Sequence, residues 1–333
     1  MEDAAGVMKK NQPEGGGSVM GGYSTMYGRC ICGDSMSELP KLGDKSINLV
    51  VTSPPFSLLR KKPYGNENQD DYAGWLCGFG ELVYRKLRDD GSFVIDIGGA
   101  YEKGEPSYSL YQFRTLIRMV DEVGFRLAQP FYWHNPSALP APVEWVNKRK
   151  LRAKASVDTV WWLCKDPKVC KADVRKVLTP YSGRMKDLIK NPENYFKEEA
   201  AERPSGHVMT RTSWQKDNGG AIPSNMLQLP NSESNSRYLR FCRKHGIKGH
   251  PARFPVSLPE FFIKFLTDEG DMVVDIFGGS NTTGRVAENL KRRWRTFELS
   301  PEYTASSVFR FADNEEKAGM YYEHILNGGT VML

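Results

Sequence analysis

Short apolar runs without alternation recur along this chain, and amphipathic segments with helical spacing separate them. Continuous apolar runs of this length are typical of strands that are covered on both faces, as in a parallel sheet. The predicted strands span 26–32, 47–51, 92–97, 157–163, 271–276 and 295–298. Apolar residues three and four positions apart predict helices at 36–39, 70–87, 113–123, 259–266 and 283–290, with one more after about 313. We therefore expect an α/β fold with a mostly parallel sheet.

The alternation of strands and helices stops between about 165 and 238, where polar residues, glycine and proline dominate. A stretch of this length without regular elements is uncommon inside a compact domain and is usually functional or disordered. The first 22 residues are rich in glycine and lack an apolar segment, which predicts a disordered tail rather than a secretory signal. The expected division is a tail at 1–22, a first half at 23–164, an insert at 165–238 and a second half at 239–333. A turn is expected at 89–91, from the Asp-Asp-Gly sequence there.

The composition is that of a globular protein, with 333 residues of which 40% are hydrophobic and 11% aromatic. This length suits one large α/β domain with an insert, or two modest domains. No apolar run approaches the roughly 20 residues that span a bilayer, so we expect no membrane association. The six cysteines form no C-x-x-C pair and the five histidines do not cluster, so reduced thiols, a cytoplasmic location and no metal site are expected.

The net charge of +6 is mild, but the basic residues are clustered. The two clusters of interest comprise Arg60, Lys61 and Lys62, and Lys148, Arg149 and Lys150. Neutralising nucleic-acid phosphates requires local patches of this kind rather than a high total charge. Either cluster alone could be a solvated surface, and the two together favour a nucleic-acid partner.

A tetrapeptide, Ser53-Pro54-Pro55-Phe56, directly follows the strand 47–51. To methylate an exocyclic amine, an enzyme must free a lone pair that is delocalised into the ring, and acceptors for the amine hydrogens do this. The Ser53 hydroxyl and the Pro54 carbonyl are candidate acceptors, and the prolines hold the backbone rigidly because they fix φ. Phe56 could stack on a base flipped out of a duplex. Taken alone, the tetrapeptide could equally be a turn beside a core phenylalanine.

A glycine-rich turn follows the strand 271–276, and Asp275 lies near the end of that strand. The candidate cofactor-binding residues of this turn are Phe277, Gly278, Gly279, Ser280, Asn281 and Thr282. Glycines let the backbone approach a ligand, and the start of the next helix favours a carboxylate or phosphate. The turn lacks the G-K-[ST] of an ATP-binding loop and departs from the dinucleotide pattern G-x-G-x-x-G. Glu298, about 20 positions further on at the end of the next strand, is placed to bind ribose hydroxyls.

Two more acidic residues lie at strand ends. Asp34 follows the strand 26–32 and could accept a hydrogen bond from the adenine amino group of a cofactor, although capping the next helix fits nearly as well. Asp96 lies near the end of a buried strand, where a charge is costly unless it is paired. We therefore expect Asp96 near the site, as a proton acceptor or a positioning group.

These segments, and their order along the chain, resemble the beta-class DNA amino-methyltransferases, and within that family the cytosine-N(4) enzymes of the PvuII restriction–modification type. The resemblance extends from about residue 26 to 311, and its most specific segments are 52–56, 91–101, 145–150, 250–255 and 275–284. In this class the cofactor motif follows the catalytic motif, which is a circularly permuted order. The resemblance implies a Rossmann-like methyltransferase fold, S-adenosylmethionine as cofactor, and N(4) of cytosine in double-stranded DNA as methyl acceptor.

Further roles are implied by the same resemblance. The segment 250–260, which includes Phe254, matches the part of the family that packs against the methionine end of the cofactor. The insert is the candidate DNA-recognition region, where Arg211, Lys216 and Asn218 could pair with base edges in the major groove. A short palindrome such as CAGCTG is implied as the target. A cognate restriction endonuclease is implied as a genetic partner, and in a bacterium the protein would act at the nucleoid.

The residues leave other functions open. Adenine N(6) methylation uses the same fold and mechanism, but adenine enzymes of the family usually carry Asp or Asn at the position of Ser53. Methylation of the cytosine ring carbon is disfavoured, because no cysteine here follows a proline. Methylation of RNA or protein is a weaker alternative. The alternative that is not an enzyme is a DNA-binding module that has lost catalysis, although both motifs are intact in this sequence.

Overall fold

The computed structural model describes residues 21–57, 71–195, 200–202, 208–210, 217–232 and 236–333. Its strands are β1 Gly22–Ser24, β2 Gly28–Cys32, β3 Ile47–Thr52, β4 Leu87–Ile97, β5 Arg126–His134, β6 Val157–Cys164, β7 Ala200–Glu202, β8 Val208–Thr210, β9 Met226–Gln228, β10 Met272–Asp275, β11 Arg293–Glu298 and β12 Thr330–Met332. Its α-helices are α1 Ser35–Glu38, α2 Tyr72–Lys86, α3 Tyr111–Asp121, α4 Gly183–Lys190, α5 Arg237–Lys244, α6 Ser257–Leu266, α7 Thr282–Asn289, α8 Pro301–Ser307 and α9 Glu315–Leu326. All six predicted strands and all six predicted helices are present, with shifted ends.

Ten of the strands form one sheet in the order β12-β1-β2-β11-β10-β3-β4-β6-β5-β9, while β7 and β8 pair separately. The five central strands, β2, β11, β10, β3 and β4, are parallel to one another. Beyond them β6 runs antiparallel to β4, and β5 runs antiparallel to β6. The prediction of an α/β fold with a mostly parallel sheet is therefore confirmed.

The central strands are apolar throughout because both faces of the sheet are covered. On β4, Phe93 and Ile95 belong to a core that packs against α2 and α3, whereas Val94 between them belongs to the opposite core. That opposite core contains buried residues of α5, α6, α7, α8 and α9. Successive side chains of a strand point to opposite faces, so a strand between two helical layers needs no polar positions.

The carboxyl ends of the five parallel strands lie at one edge of the sheet, and this edge carries the predicted polar residues. Asp34 lies two residues after β2, Ser53 directly follows β3, and Asp275 and Glu298 end β10 and β11. Ligands of open α/β sheets bind outside the carboxyl ends of the strands. Because β6 is antiparallel to β4, its amino end, with Asp158, lies at the same edge.

The turn expected at 89–91 is wrong, since these residues continue the strand β4. Leu87 pairs with Ile47, but Ser92 pairs with Leu49, so the register shifts between them. A Cβ on Gly91 would lie 3.0 Å from the Ile47 carbonyl oxygen and 3.1 Å from that of Arg88. The glycine is therefore required by an irregularity inside the strand, where backbone approaches backbone, and not by a chain reversal.

The region from 165 to 238 is more structured than its composition indicates. It contains the polar helix α4 and the strand β9, which pairs with β5 through Tyr132 and Met226 and extends the main sheet. Its first part packs on α6, where the Asp173 N–H donates to the Phe265 carbonyl at 2.8 Å. Lys171 forms ion pairs with Asp268 and Asp271. At the amino end of the chain, the strand β1 begins at Gly22, the last residue of the tail predicted at 1–22, and residues 1–20 lie outside the described ranges.

The elements β5, α5 and α8 were not predicted. β5 contains Pro130 and is half-buried along most of its length, so its pattern lacks the continuous apolar run of the central strands. All six cysteines are free thiols. Over the described ranges, no helix is long and apolar enough to cross a membrane, and no three His, Cys, Asp or Glu residues are grouped to hold a metal ion.

Candidate active site

A cavity of about 600 Å³ opens at the carboxyl edge of the central strands, and both sequence motifs line it. The motif residues in its wall are Ser53, Pro54, Pro55, Phe56, Asp275, Phe277, Gly278, Gly279, Ser280 and Thr282. Asp34, Asp96, Phe254 and Glu298 line it as well. Of the residues predicted for catalysis or cofactor binding, Asn281 alone is not in the wall.

The two motifs are adjacent because β3 and β10 are neighbouring parallel strands, with Val50 opposite Val274. Thr52 Oγ1 donates to Asp275 Oδ1 at 2.7 Å, and Thr283 Oγ1 donates to Asp275 Oδ2 at the same distance. The Phe277 N–H also donates to Asp275 Oδ1, at 3.1 Å. Burial raises the pKa of the Asp275 carboxyl, and the Thr283 and Thr52 hydrogen bonds lower it. Asp275 therefore holds the glycine-rich turn against the strand that carries Ser53.

The Ser53-Pro54-Pro55-Phe56 segment forms one wall of the cavity. Pro54 is buried, and Ser53 and Phe56 are half-buried. A Cβ on Gly98, directly after β4, would lie 2.4 Å from the Phe56 ring, so the ring packs onto that glycine. The Ser53 hydroxyl is hydrogen-bonded to the Asp96 carboxyl. This geometry places a hydroxyl, a rigid carbonyl and an aromatic face around one opening.

Asp96 is 4% exposed, and its Oδ1 makes no hydrogen bond. Burial raises the pKa of Asp96 well above its usual range, the nearby Asp158 carboxyl raises it further, and the Ser53 hydrogen bond lowers it. Burial also raises the pKa of Asp158, to about 6. A carboxyl with a strongly shifted pKa in a cavity is typical of a functional site. Asp158 was not predicted, because nothing in the sequence around it indicates that β6 begins at this edge.

The cofactor side of the cavity is built by Gly278, Gly279 and Glu298. Glu298 Oε2 accepts from the Gly279 N–H at 2.7 Å, and Oε1 accepts from the Ser300 N–H at 2.9 Å. Burial raises the pKa of Glu298, and these backbone hydrogen bonds lower it. A Cβ on Gly278 would lie 3.0 Å from the Phe297 carbonyl, and Gly279 has φ of +51°. A glycine cradle with a carboxylate at its rim fits an adenosine-type cofactor.

An aromatic wall completes this side. The Phe277 ring lies 4.9 Å from that of Phe79 and 5.5 Å from that of Trp75, between ring centroids. Trp75 and Phe79, both on α2, line the cavity with Phe277. The helical spacing of Trp75 and Phe79 predicts that both residues lie on the apolar side of α2. This spacing does not tell whether that side packs in the core or lines a ligand-binding cavity.

Other predicted cofactor residues have defined partners. Asp34 Oδ1 accepts from the Met36 N–H at 2.9 Å, so Asp34 caps α1 while it also lines the cavity. Ser280 accepts hydrogen bonds from Arg310 through its carbonyl and its hydroxyl. Asn281 faces the core instead: its Nδ2 donates to Tyr23 Oη at 2.8 Å, and its Oδ1 caps α7 by accepting from the Gly284 N–H.

His250 lies beside the glycine cradle and was noted in the sequence only as part of a matching segment. A Cβ on Gly279 would be 3.3 Å from its ring, and the ring lies edge-on to Tyr303 at 4.4 Å between centroids. Burial lowers the pKa of His250 to about 4. The imidazole is therefore neutral at physiological pH and forms part of the packed wall next to Phe254.

The basic cluster Lys148-Arg149-Lys150 lies in the loop between β5 and β6, at the cavity edge of the sheet. Lys148 and Arg149 each pair with Glu144, at 3.3 and 2.9 Å, and both are exposed. The Arg149 guanidinium lies 5.1 Å above the Trp145 ring. The loop thus carries exposed cations at the same edge of the sheet as the cavity.

The remaining predicted DNA contacts are mostly outside the described residues, which is the case for Arg60, Lys61, Lys62, Arg211 and Lys216. Asn218 is described and exposed, and its backbone N–H donates to Tyr181 Oη at 3.0 Å. The insert also reaches the cavity at a position that was not predicted. Asn231 lines it, its Nδ2 donates to the Arg253 carbonyl at 2.6 Å, and its backbone N–H donates to Asn135 Oδ1 of the β5–β6 loop at 3.2 Å.

A mostly parallel sheet, with a glycine-rich turn and the Ser53–Phe56 segment lining one cavity on neighbouring strands, defines a Rossmann-like α/β protein. Comparison with known families places the chain within that class. The N6/N4 DNA methylase family model matches residues 47–309. The chain belongs to this family.

Two curated relatives match most of the chain. The type II methyltransferase M.PvuII of Proteus hauseri is 56% identical over 314 residues, which cover 93% of this chain and 92% of that protein. The type II methyltransferase M.Cfr9I of Citrobacter freundii is 27% identical over 290 residues, which cover 84% and 85% of the two chains. Among solved structures, the cytosine-N4-specific PvuII DNA methyltransferase superposes with a TM-score of 0.76 and 49% identity, over 95% of this chain and 98% of that one. The expected Rossmann-like methyltransferase fold is confirmed.

Proposed function

We propose that this protein transfers a methyl group from S-adenosyl-L-methionine to the N(4) amine of a cytosine at a specific site in double-stranded DNA. The observation that carries the proposal is that the Ser53–Phe56 segment and the glycine-rich turn share one cavity, on the adjacent strands β3 and β10. The 56% identity to M.PvuII over nearly the whole chain supports cytosine as the base and modification within a restriction–modification system as the role.

The target amine is held by this chain's own acceptors. The Ser53 hydroxyl and the Pro54 carbonyl accept its two hydrogens, which draws the nitrogen towards a tetrahedral shape and frees its lone pair. Because Ser53 is itself hydrogen-bonded to Asp96, the hydroxyl is fixed in position before the base arrives. Phe56 supplies the aromatic face on which a flipped base stacks.

The cofactor site lies on the other side of the same cavity. Gly278 and Gly279 let the backbone approach the ligand, Glu298 accepts the ribose hydroxyls, and the Phe277–Phe79–Trp75 wall covers the adenine. Asp34, Phe254, Ser280 and Thr282 complete the enclosure. When bound, the cofactor supplies an electrophilic methyl group on a sulfonium. Asp275 and Asn281 act by holding the turn in shape.

DNA would approach the mouth of the cavity across the β5–β6 loop. The cations Lys148, Arg149 and Lys150 neutralise phosphates there, and Arg60, Lys61 and Lys62 are proposed to do the same after the catalytic segment. Site choice is assigned to the insert, including Arg211, Lys216 and Asn218, with CAGCTG as the first sequence to test. The cognate endonuclease is a genetic partner, and the enzyme acts on DNA in the cytoplasm.

The product nucleoside tests the proposal directly. Purified protein is incubated with duplexes that contain CAGCTG or a scrambled site and with isotopically labelled S-adenosylmethionine, and the DNA is then digested and analysed by mass spectrometry. N(4)-methylcytosine is the expected product, on the CAGCTG duplex only. N(6)-methyladenine as the main product would reject cytosine as the target base and would support adenine N(6) methylation instead. No methylated nucleoside on any duplex, with the protein folded, would reject catalysis.

A further inference from the structure

Asp158 and Asp96 form a pair of carboxyl groups on adjacent strands. Asp96 lies opposite Val160 across the antiparallel β4–β6 pair, so Asp158, two residues before Val160, points to the same face of the sheet. Diagonal neighbours of this kind have Cα atoms roughly 7–8 Å apart and side chains within reach of each other. Two carboxyl groups this close, one of them fully buried, do not both ionise readily.

Asp158 also lies near the Phe56 ring, on which the target base would stack. A Cβ on Gly98 would lie 2.8 Å from Asp158 Oδ1 and 2.4 Å from the Phe56 ring. The carboxylate oxygen and the edge of that ring therefore converge on the same glycine. Both acids line the cavity, but Asp158 is only partly buried, whereas Asp96 is buried.

We propose that Asp158 is a further catalytic residue, which with Asp96 forms a carboxyl pair that takes the proton released by the methylated amine. This inference rests on the proposed methyl transfer. The amine lone pair forms the new N–C bond as the C–S bond breaks and its electrons remain on sulfur. The nitrogen is then cationic with two hydrogens. One of the two N–H bonds, released from its acceptor on Ser53 or Pro54 after the methyl group has moved, breaks; its electron pair returns to nitrogen, and the proton passes to the Asp158 carboxylate, from which it leaves to solvent.

The two acids have different surroundings, which suits a division of roles. Burial and the nearby Asp158 charge raise the pKa of Asp96 well above its usual range, so Asp96 is the acid of the pair that favours the protonated form. Burial raises the pKa of Asp158 to about 6, so its carboxylate is available above that pH. Among the described residues, the titratable groups that face this pair are the phenols of Tyr72, Tyr108 and Tyr111. Tyr111 Oη donates to the Gly98 carbonyl, which fixes the glycine between the two acids.

The test is the rate of a single methyl-transfer turnover as a function of pH, measured with saturating S-adenosylmethionine and duplex DNA. For the wild-type enzyme the rate should fall on the acid side with an inflection near pH 6. Asp158→Asn should lower the rate by about 10²- to 10⁴-fold, the usual contribution of a general base, and should remove that inflection. Cofactor affinity, measured by calorimetry, should stay within twofold of wild type. Asp121→Asn, at the exposed end of α3, is the matched control and should change neither quantity.

The results separate this inference from the function on which it rests. Normal turnover and an unchanged pH profile in Asp158→Asn would overturn the role of Asp158 while leaving methylation intact. If Asp158→Asn does not fold, the wild-type profile decides, and a rate that is flat between pH 5 and 8 overturns the proposal. Absence of any methyl transfer by the folded wild-type protein would instead overturn the proposed function.

Discussion

Thr52 donates a 2.7 Å hydrogen bond to Asp275 and so joins two parts of the site that are 223 residues apart in the sequence. Thr52 ends the strand that leads into Ser53, and Asp275 ends the strand that leads into the glycine-rich turn. Since Asp275 is 1% exposed, its carboxylate depends on these donors for the solvation that burial removes. The contact fixes the distance between the base pocket and the cofactor pocket.

Replacing Thr52 with Val keeps the shape of the side chain and removes this donor. We expect the free energy of unfolding to fall by about 1–3 kcal/mol, because Asp275 Oδ1 would retain only the Phe277 N–H as partner. Urea unfolding followed by circular dichroism measures the change. Thr330→Val, an exposed position on the edge strand β12, is the control. Equal stability of the Thr52 and Thr330 variants would show that the contact contributes nothing.

Ser53→Ala should lower turnover by about 10²- to 10³-fold, by analogy with the loss of one preorganised polar group. The affinity for S-adenosylmethionine should barely change, since Ser53 faces the base pocket and Asp96. Single-turnover kinetics and calorimetry give the two numbers. Ser46→Ala, in a remote exposed turn, provides a Ser-to-Ala control. A Ser53 variant with normal turnover would contradict the assignment of the amine acceptor.

The central sheet was predictable because doubly covered strands must be apolar on both faces. Because β3, β10 and β11 are parallel strands, their shared carboxyl edge places Ser53, Asp275 and Glu298 at the same edge of the sheet. The adjacency of β3 and β10 themselves is a property of the sheet order, which no local pattern contains.

The rest of the cavity depends on strand direction and on contacts distant in sequence. Asp158 enters only because β6 runs antiparallel to β4. Trp133 and Asn135 enter at the end of β5, whose half-buried pattern was not recognised, and Asn231 enters from the insert. The position of Asn281 in the motif indicated a ligand contact, but its backbone is left-handed and its side chain donates to Tyr23.

Glu298→Ala should weaken S-adenosylmethionine binding by about 1.5–3 kcal/mol, roughly 10- to 100-fold in Kd, because a charge-assisted partner of the ribose is lost. The Gly279 N–H would also lose its acceptor. Glu298→Gln, which keeps one acceptor oxygen, should have an intermediate effect. Calorimetric titration measures the Kd of the wild-type protein and of both variants. Glu302→Ala, an exposed acid four residues further along, should bind normally, and unchanged affinity in Glu298→Ala would remove that residue from the cofactor site.

Asp96 should make the folded protein less stable as pH rises. Its pKa is raised in the folded state, whereas in the unfolded chain an Asp ionises near pH 4. Between these two values the unfolded state has lost a proton that the folded state retains, so the free energy of unfolding falls with increasing pH. Asp96→Asn should flatten this dependence and unfold at a higher temperature than wild type at pH 8, while losing activity. Thermal unfolding at pH 5 to 8 tests this, and parallel curves for the two proteins would contradict it.

Lys148→Ala should weaken binding to all DNA duplexes alike, because phosphate contacts carry no sequence information. Loss of one phosphate contact should reduce the slope of log K against log salt by about 0.9. Asn218→Ala should instead change the preference for CAGCTG over other duplexes and leave the salt slope unchanged. Fluorescence anisotropy from 50 to 300 mM salt distinguishes the two effects. Lys317→Ala on α9, which packs on β12 at the opposite end of the sheet, is the charge control. If it changes the slope as much as Lys148→Ala does, the β5–β6 loop is not the DNA-facing surface.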